Sequence, residues 1–200
     1  MARSKKKIPA TFDQIDQEVL RVQNYNFKIL VAGEGGVGKT TFLHKYVTGT
    51  FMLDTHMTIG VQFHVKTIHV GDVAYTLQLW DLGGQDRFRF MLPSYTLGAK
   101  GALLLYDTTR ISSLTSLEEW VGVCRTNDKN LPILLCGSKA DLLQDRSISP
   151  EFVKSYLEPL NLFDYLEISA KTGQNVERAF EILLNKMTPI APLNSPNLPL

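Results

Sequence analysis

The stretch of this chain richest in chemistry is Gly33-Glu34-Gly35-Gly36-Val37-Gly38-Lys39-Thr40, which matches the pattern G-x-x-x-x-G-K-[ST]. Glycines at these positions let consecutive backbone N–H groups turn inward around phosphate oxygens. The start of a following helix adds partial positive charge. Lys39 would bring a point charge to the β- and γ-phosphates, and the Thr40 hydroxyl is a hard oxygen suited to Mg²⁺. Thr41 carries the same site into the helix. A Gly-rich turn with a surface lysine could show the same letters. Here, however, the apolar run Phe27–Ala32 precedes the loop and the amphipathic stretch Thr41–Val47 follows it, as the motif requires. Alone, the cradle indicates a nucleoside triphosphate and leaves both base and reaction open.

Three further segments carry candidate chemistry. Asp81-Leu82-Gly83-Gly84-Gln85-Asp86 puts a carboxylate where it could hold Mg²⁺ through water. The backbone N–H of Gly84 could approach a γ-phosphate closely, and the Gln85 amide could orient an attacking water. Ser138-Lys139-Ala140-Asp141 offers an aspartate able to accept from the N1–H and 2-amino group of guanine, two donors that adenine lacks. The aliphatic stem of Lys139 could lie along the ring. Ser169-Ala170-Lys171 forms the last piece. Taken singly, the first of these is a Gly-rich turn with an acidic flank and the others are solvated loops.

Position turns these fragments into one site. From Phe27 onward, apolar runs alternate with amphipathic stretches. Strands are predicted at Phe27–Ala32, Val61–Val70, Val73–Trp80, Ala102–Tyr106, Ile133–Cys136 and Tyr165–Ile168. Helices are predicted at Thr41–Val47, Leu114–Arg125, Glu151–Leu157 and Val176–Met187. Gly71-Asp72 is a two-residue hairpin signal, so the second and third strands should be antiparallel neighbours. The expected fold is an α/β, doubly wound P-loop domain. Its six-stranded sheet is mostly parallel with one antiparallel strand, and helices cover both faces. Ligands of such sheets bind beyond the carboxyl ends of the strands, which is where each of the four motifs begins. Residues 26–187 form this domain. Residues 1–25 are a polar extension, either a short helix over Thr11–Val22 or a flexible arm. Residues 188–200 read as a Pro-rich flexible tail.

The ordered P-loop, Thr58-Ile59-Gly60, W-D-L-G-G-Q-D, S-K-A-D and E-I-S-A-K together resemble the Ras superfamily of small GTPases. The segments Thr58–Phe63 and Tyr106–Thr108 look Rab-like, whereas the glycine pair before Gln85 looks Arf-like. Such blends resemble archaeal Ras-like GTPases or a divergent eukaryotic branch. The resemblance implies a molecular switch of the signalling or trafficking type that hydrolyses GTP to GDP with Mg²⁺. Thr58 would bind the metal through its hydroxyl and the γ-phosphate through its N–H. Phe51 would pack edge-on against guanine, and the Ala170 N–H would read the base oxygen. From the residues alone, Phe51 could be a core aromatic and Thr58 an ordinary loop threonine. The resemblance also implies effectors, an exchange factor and an activating protein on the switch surface. Arg87 and Arg89 lie beyond Gln85, so no arginine in cis is assigned to the transition state.

One departure from the family pattern is Ser138, where an asparagine usually ties the base loop to the P-loop. Serine offers one donor in place of two, so looser nucleotide binding is expected with guanine preference kept by Asp141. The other is the lack of lipidation signals, since Ala2 and the terminal Asn197-Leu198-Pro199-Leu200 carry none. Arg3, Lys5, Lys6 and Lys7 supply four of the positive charges in a net charge of +1. The body is therefore mildly acidic, which argues against a nucleic-acid surface. Cys124 and Cys136 sit in apolar runs and suggest no disulfide framework. A cytoplasmic monomer without a stable membrane anchor is expected. Two other classes are an ATPase or nucleoside kinase, which would lack Asp141 and Ser169-Ala170-Lys171, and a pseudo-GTPase that binds without turnover.

Overall fold

Leucine, isoleucine and valine runs form six strands: β1 Gln23–Ala32, β2 Val61–Val70, β3 Val73–Leu82, β4 Gly101–Asp107, β5 Ile133–Ser138 and β6 Asp164–Glu167. The structure, a computed structural model, describes residues 23–53, 57–71 and 73–188. The Thr11–Val22 segment and the Pro-rich tail lie outside the described residues. The strands make one sheet in the order β2-β3-β1-β4-β5-β6. Only the β2–β3 pairing is antiparallel. Every residue of β4 and β5 is buried, as expected for parallel strands covered on both faces. β2, at the edge, keeps alternate residues exposed.

Two helices, α1 (Lys39–Thr48) and α6 (Val176–Met187), cover one face, where Phe42, Tyr46 and Phe180 pack on Ile29, Leu77 and Leu103. The other face is covered by α2 (Leu92–Tyr95), α3 (Ser112–Thr115), α4 (Leu117–Cys124) and α5 (Pro150–Lys154). Here Leu114, Leu117 and Trp120 meet Leu30, Leu104 and Leu135. Burial of a large apolar side chain stabilises by roughly 1.5–3 kcal/mol, so these two layers clamp the sheet from both sides.

Several boundaries differ from the sequence expectation. β1 begins at Gln23, four residues before the apolar run, because it pairs with β3 from Val73 onward and Tyr25 stacks on Tyr75. The expected helix Leu114–Arg125 is broken at Ser116. Ser113, Thr115 and Ser116 each donate their hydroxyl to the carbonyl three residues back, a local bond that competes with the helical ladder. Helix α5 is capped by Ser149, whose hydroxyl accepts from the Phe152 N–H, but it ends at Lys154. Beyond it, Tyr156 and Leu157 bond three residues back, tightening the turn. The short helix α2 and a 3₁₀ turn over Asp86–Met91 were not anticipated. None of these shifts moves a motif. The carboxyl ends of β1, β3, β4, β5 and β6 share one edge, and Asp81 lies beside Val31 in register.

Candidate functional site

At that edge lie two adjoining cavities, of about 230 and 200 Å³, that share Gly38, Thr41 and Lys139 in their walls. The first is also lined by Gly35, Gly36, Lys39, Thr40, Thr58, Gly84 and Gln85. The second takes Val37, Phe51, Ser138, Asp141, Ala170 and Lys171. Four expected residues, Gly33, Glu34, Asp81 and Ser169, hold the lining in place without joining it.

Lys39 shows how. Its side chain is buried, and its ammonium donates to the carbonyls of Gly33 at 2.7 Å and Glu34 at 2.8 Å. An ammonium has three donors, so one remains for a ligand. Burial pulls the Lys39 pKa down to about 8, opposed by the charges of Asp81 and Glu34. The cradle is thus braced around a cation that a phosphate would relieve.

Beside it, three oxygens gather. Thr40 Oγ1 donates to Asp81 Oδ2 at 2.6 Å and lies 2.6 Å from Thr58 Oγ1. A hydroxyl has one proton, so Thr58 must donate to Thr40. Asp81 is fully buried and its Oδ1 has no hydrogen-bond partner. Burial pushes its carboxyl pKa up, against the Thr40 hydrogen bond and the Lys39 charge. A buried orphan carboxylate oxygen beside two hydroxyls is a donor set of hard oxygens, which fits Mg²⁺. It differs in kind from a His, Cys and carboxylate cluster, of which there is none among the described residues.

Two glycines close this half. A Cβ on Gly83 would meet the Gly60 carbonyl at 2.5 Å, and the Gly83 N–H donates to that same oxygen at 2.8 Å. This bond holds the Thr58 segment against the end of β3. A Cβ on Gly84 would lie 2.3 Å from the Gly35 nitrogen, so Gly84 rests directly on the cradle. Gln85 follows, half-buried, in the wall beside Thr58.

The second cavity is tied together from three strand ends. Ser138 Oγ donates to the Val37 carbonyl at 2.6 Å, joining β5 to the cradle. Asp141 Oδ1 accepts from the buried Ser169 hydroxyl at 2.6 Å, which leaves the carboxylate most of its acceptor sites. The Ala140 N–H donates to the Ile168 carbonyl. Lys139 adopts φ 61°, a left-handed conformation uncommon for a side-chain-bearing residue. Its ammonium reaches Asp107 Oδ2 at 2.6 Å. Burial alone would raise the Asp107 pKa, but bonds from Lys139 and Thr109 outweigh it and hold it low. The Lys139 stem therefore lies as a partition between the two cavities. Phe51, 37% exposed, joins the wall of the second cavity.

Two residues of the site escaped sequence reasoning. Asp107 ends β4 and anchors Lys139. Arg110 follows three residues later, and its Nη2 donates to the Gly35 carbonyl at 2.7 Å. Asp107 is at the end of β4 and Arg110 just past it, on the same edge as the motifs, a signal the sequence carries.

Residues 28–189 match the family model described as Ras family. Similar curated proteins include the Ras-related protein RABA1f of Arabidopsis thaliana, 39% identical over 165 residues, covering 82% of this chain and 76% of that protein. RABA1h of the same plant is 41% identical over 165 residues, with 82% and 75% covered. The human Ras-related protein Rab-4B is 40% identical over 169 residues, with 82% and 79% covered.

Proposed function

The chain belongs to the Ras family of small GTPases, and from that premise we propose a switch that binds GTP and GDP with Mg²⁺ and hydrolyses GTP slowly. The observation that carries the reading is the meeting of cradle, Thr58, Gln85 and Asp141 in two joined cavities. The larger suits a row of phosphates, and the smaller, walled by Phe51, Ala170 and the Lys139 stem, suits a flat base. Asp141 then selects guanine, because adenine offers its carboxylate neither the N1–H nor the 2-amino donor.

Thr40, Thr58 and Asp81 would hold Mg²⁺, which when bound supplies charge to neutralise phosphate oxygens. Lys39 and the cradle N–H groups spread the charge that develops as the γ-phosphoryl group transfers. Gln85 orients the water that attacks in line, and Thr58 and Gly84 hold the terminal phosphate with backbone N–H groups. Turnover is expected on the order of 10⁻⁴–10⁻² s⁻¹, with an activating protein required for speed. Loss of the γ-phosphate removes what holds the Thr58 and Gly84 segments, so their surface changes with the nucleotide. That surface exposes Ile59, Phe63 and Phe90, apolar groups suited to effector and exchange-factor contact in trafficking or signalling. Among the described residues no helix is long and apolar enough to cross a membrane.

The test is to identify the nucleotide released from the purified chain and to follow one turnover of GTP bound with Mg²⁺. Guanine nucleotide and one phosphate per GTP are expected. Adenine nucleotide, or GTP that stays intact over hours, would overturn the reading.

A further inference from the structure

Arg110 reaches the cradle from its outer side. It sits in the turn between β4 and α3, held by its N–H to the Asp107 carbonyl. Nη2 donates to the Gly35 carbonyl at 2.7 Å, and Glu34 Oε2 stands 3.7 Å from the same nitrogen. Nη1 lies 3.8 Å from the point a Cβ on Gly36 would occupy. The Arg110 Nε is buried and has no hydrogen-bond partner, so the guanidinium keeps a donor in reserve.

The Gly35 carbonyl and the Gly36 N–H belong to one peptide group. Across a trans peptide the C=O and N–H point in opposite directions, so where the Gly36 N–H faces phosphate the Gly35 carbonyl faces away, and a cation on the carbonyl side polarises the peptide and strengthens its N–H as a donor. The end of the cradle involved is identifiable. Gly35 is the residue on which Gly84 rests and toward which the Met57 side chain projects, so it lies where Thr58, Gly84 and Gln85 gather. That is the γ-phosphate end. The Arg110 charge also acts on Lys39, whose pKa it helps to lower, so both cations lie close to this loop.

We propose that Arg110 is a positioning residue for GTP hydrolysis, holding and polarising the Gly35–Gly36 peptide from outside the cradle so that its N–H stabilises the charge that develops on the phosphates. The inference rests on the GTPase reading above. In the step concerned, the water oxygen bonds to the γ-phosphorus while the bond from that phosphorus to the β–γ bridging oxygen breaks. The electron pair leaves on GDP, and the water's protons pass to inorganic phosphate and solvent. Arg110 touches none of the reacting atoms. It acts through the peptide it grips, with the Glu34 carboxylate 3.7 Å away as a nearby counter-charge.

The experiment compares full-length wild type, Arg110→Met and Arg110→Lys, each loaded with GTP and Mg²⁺, by single-turnover hydrolysis, GDP release and thermal melting. Met keeps the bulk and removes the charge; Lys keeps the charge and loses the fork. Hydrolysis is expected to slow about tenfold in the Met variant, less than direct removal of a transition-state donor would cost. The Lys variant should fall between, with GDP release and melting close to wild type in both. Hydrolysis by Arg110→Met within twofold of wild type would overturn the proposal, and so would Arg110→Lys no faster than Arg110→Met. A loss matched by equal losses in GDP retention or melting temperature would reduce Arg110 to a loop tether and overturn it too. Absence of turnover in the wild type would remove the GTPase reading itself, so the two failures are distinct.

Discussion

Replacing Gly84 by alanine should separate hydrolysis from nucleotide binding. The added methyl carbon would stand 2.3 Å from the Gly35 nitrogen, 2.5 Å from the Glu34 carbonyl carbon and 2.7 Å from the Gly35 Cα. All three are backbone atoms of the cradle, so no side chain can swing aside. Ordinary contact begins near 3.4 Å, and the two segments must therefore part by about 1.1 Å. A misplacement of about 1 Å in groups that position a reaction can cost on the order of 10²-fold in rate. Single-turnover hydrolysis of bound GTP should fall by about that factor. GDP has no γ-phosphate and uses the cradle and the second cavity, so its release should change by no more than about threefold. Gly122→Ala in helix α4, where a Cβ would meet nothing within 4 Å, is the control and should leave both rates unchanged. A Gly84→Ala protein that hydrolyses GTP within threefold of wild type would show that the Gly84–Gly35 contact does not set the geometry. Parallel loss of GDP would show that the methyl group has collapsed the cradle as a whole.

Three other outcomes are expected. Gln85→Leu should lower hydrolysis at least about tenfold with GTP affinity intact, the cost of losing a group that orients the water; equal turnover would remove Gln85 from the mechanism. Ser138→Ala loses the 2.6 Å bond to the Val37 carbonyl and should speed GDP release by about two- to tenfold, the equivalent of roughly 0.5–1.5 kcal/mol. Ser138→Asn, with two donors, should slow it, and stopped-flow release that shows neither trend would mean that this tie does not retain nucleotide. Glu167 is gripped by both terminal nitrogens of Arg146 at 2.7 and 2.6 Å, and these hydrogen bonds hold its pKa below the ordinary value of 4.5. Because the native pKa is the lower one, the stabilisation is present above about pH 4.5 and is lost as pH falls through the native value. The melting-temperature gap between wild type and Glu167→Gln should accordingly be widest near neutrality and narrow progressively as pH falls below about 4.5. A gap that does not narrow at all as pH falls below 4.5 would exclude the ion pair as its source.

How much of the site was legible depended on what each residue does there. The lining could be read because each lining motif follows directly on a buried strand: the cradle on Ala32, Gly83–Gln85 on Leu82, and the Ser138–Asp141 segment at the end of β5. In a mostly parallel sheet that order of chain is also a location in space. The supports could not be read the same way. Lys139 pairs with Asp107 across 32 positions, Ser138 with Val37 across 101, and Arg110 with Gly35 across 75. Residue type states what a side chain can donate or accept; only packing states to whom. Arg87 and Arg89 lie near Gln85 in the chain, but the arginine that reaches the cradle is the distant Arg110, delivered by the end of β4. The broken helix at Ser116 had the same origin, since serine and threonine hydroxyls choose between solvent and a local carbonyl according to their surroundings.

On the proposed function, the distribution of these supports would let one pocket both retain a nucleotide and respond to its terminal phosphate. The base half is closed by side-chain bonds between different strand ends: Ser138 to Val37, Lys139 to Asp107, Asp141 to Ser169, and Thr108 to the Ser138 carbonyl. None involves the Thr58 or Gly84 segment, so none depends on a γ-phosphate. Among the described residues, the ties of the phosphate half are of another kind. Thr58 is attached through one hydroxyl contact to Thr40, and its loop through one backbone bond from Gly83 to Gly60. A single hydrogen bond contributes only about 1 kcal/mol net, so bonds of this kind each add far less than a charged γ-phosphate could. A divalent cation would compete for the very hydroxyls that make the first tie. The chain therefore concentrates its own bonds where nucleotide must be kept and leaves to the ligand the bonds that must change.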